Sequence, residues 1–168
     1  MRDYFAVLGF AASFSLDDAA LHAAYLAAQR QFHPDRQASP TARMSAIQAS
    51  ADCNAAYRIL KDPLLRAEHL LALQGVMVGG EKDTVKPSQP LLIESMEMRE
   101  ALMECESAAA VEQLHHTAQQ AIHECGQRFA ASFASARYSE AAQAVLRWRF
   151  LIKFCEEIRA QKKLAAIK

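Results

Sequence analysis

Apolar positions recur along this chain at helical intervals, and no stretch alternates apolar and polar as a half-buried strand would. Residues 3–10 (DYFAVLGF) form a short apolar opening element, stopped by Gly9. Ser15 followed by Asp18 has the spacing of a capping box and predicts a helix running to Phe32. Its apolar stripe is Leu21, Tyr25, Ala28 and Phe32. Pro34 ends it, because proline has no amide hydrogen and disfavours helical geometry at the residue before it. Ser39-Pro40 supplies a cap and a proline at the first helical position, predicting a third helix to about Leu60. Its stripe is read as Met44, Ile47, Ala51 and Ala55. Asp62-Pro63 repeats the start signal for a helix ending near Leu73.

Glycines then crowd into 75–80, and Pro87 and Pro90 close the stretch, so 76–90 reads as a linker. Beyond it the pattern predicts helices over about 91–106, 108–134 and 138–165, capped by Ser107 and broken at Ser135–Ser139. Short connections between long helices imply antiparallel neighbours, hence a three-helix bundle over 91–168. The first of these helices is acidic and the last basic, which would let them lie side by side.

At about 100° per residue, Leu91, Met98, Leu102 and Cys105 fall within roughly 60° and form a core stripe. Leu92, Met96 and Met103 form a second stripe about 120° away, flanked by Arg99, with Ile93 and Glu100 beyond. A small bundle can bury one such face. The other either packs elsewhere on the chain or meets a partner. In the last helix Ala141, Val145, Trp148, Ile152 and Cys155 read as core, with Phe150 on the opposite side.

Composition narrows the function classes. Lys plus Arg and Asp plus Glu both total 19, a net charge of zero, which argues against a general nucleic-acid binder. Hydrophobic content of 52% suffices for a core and excludes a disordered chain. No apolar run reaches the roughly 20 residues that span a bilayer. Met1 leads almost directly into patterned sequence, leaving no room for a signal peptide, so the expected location is the cytoplasm. Cys53, Cys105, Cys125 and Cys155 are scattered without a CxxC pair and read as packed free thiols.

Enzyme chemistry finds little material. A hydrolase needs a nucleophile, a base and an orienting group together, and Cys53, Cys125 and His115-His116 sit in no such motif. His116 and His123 lie seven apart near Cys125, but Gln120 intervenes and so loose a set rarely holds a metal. No glycine-rich phosphate loop is present. The expectation is no catalytic residue, no metal and no cofactor.

One motif carries specific chemistry. His33-Pro34-Asp35 follows an amphipathic helix holding Tyr25 and Arg30, and precedes NAAYRIL at 54–60 and KDPLLRAE at 61–68. With DYFAVLGF upstream, these residues resemble, in order and spacing, the J-domain of DnaJ-type co-chaperones across 1–75. The resemblance implies that His33, Pro34, Asp35, Arg30, Arg36 and Tyr25 bind a DnaK-type chaperone and trigger its ATP hydrolysis. A proline-fixed bend holding polar groups at a loop tip suits a partner that must read them at little ordering cost. Arg36 stands where a lysine usually follows the triplet, and Ala24, Ala27 and Ala28 are read on the outer side. Both departures imply a narrower docking surface, tuned to one specialised chaperone.

PLLIESMEMREALMECE at 90–106 and LRWRFLIKF at 146–154 resemble the C-terminal domain of the HscB family of iron–sulfur co-chaperones. That resemblance covers essentially the whole chain. It implies an all-α protein, a J-domain (a helical hairpin with short flanking helices) plus a three-helix bundle, arranged as an L. It also implies two partners, the chaperone HscA and the iron–sulfur scaffold protein IscU. The scaffold contacts it carries over are Leu92, Ile93, Met96, Glu97, Arg99, Glu100, Glu104 and Phe150. The alternative is a general J-domain co-chaperone serving other clients. Neither nucleic acid nor membrane is an expected partner.

Overall fold

The computed structural model describes residues 2–33, 39–80 and 83–166. These hold seven helices and no strand: α1 (Tyr4–Val7), α2 (Asp18–Gln31), α3 (Pro40–Lys61), α4 (Pro63–Leu73), α5 (Gln89–Met103), α6 (Ala108–Ala134) and α7 (Tyr138–Ala166). They divide into two compact units, Met1–Leu73 and Gln74–Lys168. None of the described helices is long and apolar enough to cross a membrane.

In the first unit α3 is central, with α1, α2 and α4 packed on it. Asp3 caps α1, its Oδ1 accepting the amides of Phe5 (2.9 Å) and Ala6 (3.3 Å). Gly9, at φ 78°, turns the chain out of α1 in a conformation other residues avoid. The cap of α2 differs from expectation. Asp17, not Ser15, is the N-cap and accepts from the Ala19 amide at 2.9 Å, because a carboxylate one residue ahead of the first turn reaches its orphan amides directly. The Ser15 carbonyl instead accepts from the Ser13 hydroxyl. Asp62 both closes α3 and caps α4, taking the Leu64 and Leu65 amides at 2.8 and 3.0 Å.

The buried stripe of α3 is Ala46, Cys53, Ala56 and Leu60, not the one expected. Met44 and Ile47 are exposed, as is Ala51. The physical reason is close packing: α1, α2 and α4 crowd α3 on a face of mostly small residues, and Met44 and Ile47 are left outside. Ala24 and Ala28 are half-buried, not on an outer side with the exposed Ala27.

In the second unit α7 is the shared helix, packed by α6 along its length and by α5 more sparingly. It therefore buries more than one stripe. Ala141, Val145, Trp148 and Cys155 are buried as expected and Ile152 is half-buried, but Ala144, Leu151, Phe154 and Ile158 are buried too. α6 contributes Val111, Ala118, Cys125 and Phe129 at helical spacing. Ser107 caps α6 through the Ala110 amide. The segment read as a linker groups with this unit: Gln143 donates to the Lys86 carbonyl at 2.8 Å and accepts the Ser88 amide at 3.0 Å.

The opposite charges of α5 and α7 do meet. Glu94 and Arg147 form a two-pronged pair with contacts of 2.6 and 3.0 Å, and Arg99 reaches Glu157 at 3.4 Å. Cys53, Cys125 and Cys155 are buried, and burial pushes all three thiols up. Cys105 departs from the packed-thiol expectation, being only half-buried just past the end of α5.

Candidate functional site

The sequence points to two separate surfaces, one on each unit. In the first unit α2 and α3 run antiparallel, joined by a seam of polar and aromatic side chains. Tyr25 stacks on Tyr57 with ring centroids 4.2 Å apart, and its hydroxyl donates to Asn54 Oδ1 at 2.9 Å. Gln29 donates to the same oxygen at 2.7 Å, and Nδ1 of His22 meets the Tyr57 hydroxyl at 3.0 Å. This seam leads α2 out to Phe32 and the exposed His33, with Arg30 exposed one turn earlier. Tyr25 thus sits half-buried within the hairpin, where it fixes the helices that carry the tip. Pro34, Asp35 and Arg36 lie outside the described residues.

On the second unit α5 buries Leu91 and Leu102, with Met98 and Cys105 half-buried, the stripe expected for the core. The other apolar face is open. Leu92 is 51% exposed, Ile93 48%, Met96 62% and Met103 76%, so the bundle does not cover them. Glu97, Arg99, Glu100 and Glu104 are exposed around them. Phe150 lies outside the Ala141, Val145 and Trp148 stripe of α7, as expected, but does not stand in open solvent. It is half-buried against α5, with the Arg99 guanidinium 5.5 Å over its ring and Phe154 stacked behind it at 6.0 Å. The structure therefore brings Leu92, Arg99 and Phe150 to one groove of about 410 Å³.

The site residues drawn from the family motif omit Met103, the most exposed apolar side chain of this face. Its angle on α5 already placed it with Leu92 and Met96. Also missed were Arg149 and Lys153, which line the groove beside Phe150. Their spacing, with Leu146, of three and four residues along α7 was the available signal. Among the described residues no three His, Cys, Asp or Glu side chains come together to hold a metal. Nε2 of His123 meets the Gln127 amide at 3.0 Å instead.

Comparison with known proteins shows the family and the fold. The family model for the HSCB C-terminal oligomerisation domain matches residues 88–159. The co-chaperone protein HscB homolog of Cupriavidus taiwanensis is 39% identical over 158 residues, covering 92% of this chain and 89% of its own. The chain belongs to the HscB co-chaperone family. The crystal structure of human co-chaperone protein HscB superimposes with a TM-score of 0.84 at 31% identity, over 96% of this chain and 83% of the other. The chaperone HscB from Vibrio cholerae gives 0.81 at 30% identity, over 97% and 99%. The all-helical fold is thus that of the HscB co-chaperones, and the relatives are named as co-chaperones.

Proposed function

We propose that this chain stimulates the ATPase of a specialised DnaK-type chaperone of the HscA kind and delivers to it an IscU-type iron–sulfur scaffold, in the cytoplasm. The observation that carries this reading is the open apolar stripe Leu92, Met96 and Met103, rimmed by charge and continuous with Phe150, on a protein of the HscB family. An exposed Met- and Leu-rich face of this kind is a protein-binding surface. The scaffold sits on this face, with Leu92, Ile93, Met96 and Phe150 as apolar anchors and Glu97, Arg99, Glu100 and Glu104 as the rim. The His33-Pro34-Asp35 tip, with Arg30 and Arg36, engages the chaperone as a J-domain does. Tyr25 acts there by holding the hairpin rather than by direct contact. The chain itself performs no chemical step; nucleotide binding and hydrolysis belong to the chaperone.

Steady-state ATPase measurements with purified HscA-type chaperone and scaffold test the reading. The chain should accelerate hydrolysis, and scaffold should raise it further. His33→Gln should abolish the acceleration while scaffold binding persists. Leu92→Ala with Met96→Ala and Phe150→Ala should weaken scaffold binding by about 2–4 kcal/mol, with acceleration by the free co-chaperone retained. Unchanged scaffold affinity in the triple variant overturns the assignment of this face.

A further inference from the structure

Resting on the scaffold-binding reading above, we propose that the groove beside Phe150 binds an acidic side chain of the scaffold segment that docks on α5. Partner recognition is then polarised by charge across the apolar stripe. At about 100° per residue, Leu92, Met103 and Met96 occupy a strip only roughly 40° wide. Glu100, Glu104 and Glu97 lie along one flank of that strip. Arg99 lies along the other, and there the groove opens between α5 and α7.

The groove is built for an anion next to an apolar anchor. Leu92 and Phe150 form its apolar wall, while Lys153 and Arg149 line it together with Arg99, which also reaches Glu157 at 3.4 Å. Asp83 is the one acid among the described lining residues, and its Oδ1 already accepts the Gly80 amide at 2.7 Å. A carboxylate entering beside these apolar walls meets cations with less intervening water than at an open surface, so each attraction counts for more. Guanidinium groups also match a carboxylate's planar geometry.

Gly79, Gly80, Asp83 and Pro87, from the chain before α5, line the far wall of the groove. Thr84 donates its amide to the Met77 carbonyl and accepts the Met77 amide on Oγ1, both at 2.9 Å. Gly79, at φ 84°, lets the Arg149 side chain lie where a Cβ would overlap its guanidinium. A segment with a basic group for the glutamate flank and an acidic group for the groove can therefore seat in one direction only, since reversal places like charges together.

Titration calorimetry of the full chain with purified IscU-type scaffold, at low and high salt, tests this. Wild-type affinity should fall with salt. Lys153→Glu should weaken binding roughly tenfold and flatten its salt dependence, whereas Lys153→Arg should bind as wild type. If Lys153→Glu keeps both wild-type affinity and salt dependence while the Leu92, Met96 and Phe150 triple variant loses binding, the groove proposal falls alone. If the wild type itself fails to bind scaffold, the functional reading falls, and this proposal with it.

Discussion

Nε2 of His69 accepts the backbone amide of Tyr4 across 3.1 Å, tying the N-terminal helix to α4. The imidazole is buried, with Tyr4 and Phe5 against its ring at centroid distances of 4.9 and 5.7 Å. As an acceptor it must be neutral. Burial pushes its pKa below the ordinary histidine value, and the nearby Asp3 carboxylate opposes this only in part.

A pH dependence follows. The neutral form is favoured in the folded state, so its contribution is fully present above the unfolded value of about 6.5. It is lost as the pH falls from there through the lowered folded value. Urea unfolding of the full chain should show a falling midpoint over that window, and His69→Gln should flatten the fall. An unaltered slope in the variant rules the imidazole out as its source.

Arg66 is the second polar group buried in this unit, 6% exposed. Its Nε donates to the Leu60 carbonyl at 2.6 Å and its Nη1 to the Phe14 carbonyl at 2.9 Å, so one side chain joins the end of α3 to the loop before α2. Asp18, at 3.7 Å but 83% exposed, adds little. Arg66→Met should cost about 2–4 kcal/mol by removing the buried donor that serves both carbonyls. The exposed Arg58→Ala should stay within about 0.5 kcal/mol. Denaturant midpoints distinguish the two.

Much of this fold could be read from punctuation: Ser39-Pro40, Asp62-Pro63 and Ser107 each start a helix where expected. The two faces of α5 were legible too, because leucine and methionine at helical spacing are large enough to mark both. α3 was not. Its inner face is built of Ala46, Cys53 and Ala56, which a hydrophobicity pattern ranks below Met44 and Ile47. Where helices approach closely, size decides burial rather than apolarity. Phe150 lies opposite the Ala141 stripe as read, but that side of α7 meets α5: α7 is packed by two neighbours, and a single-stripe reading assigns only one.

That reading of α3 is checked by a pair of substitutions. Ala56 is fully buried, and Ala56→Leu should destabilise by about 1–3 kcal/mol through overpacking. Ile47→Gln, at a position 49% exposed, should change stability by no more than about 0.5 kcal/mol. Thermal melts that reversed this order would restore the larger residues to the core.

Ala136 adopts φ 54° in the turn between α6 and α7, the one positive φ among described residues other than glycine. Its amide donates to Phe133 and the Arg137 amide to Ser132, closing the end of α6. Ala136→Gly should relieve the Cβ strain and stabilise the bundle by about 0.5–1 kcal/mol net of the glycine's added chain entropy. A lowered melting temperature would contradict this.

The sparing attachment of α5 to α7 has a consequence for how the scaffold is held. α5 has two buried anchors, Leu91 and Leu102, along its whole length, so its backbone amides should exchange with solvent sooner than those of α6 and α7. On the proposed function, a bound scaffold would add the packing layer that α5 lacks, and part of its binding energy would go into steadying the surface it grips. Release would then come with the reverse: once α5 loosened, cargo and platform would let go together.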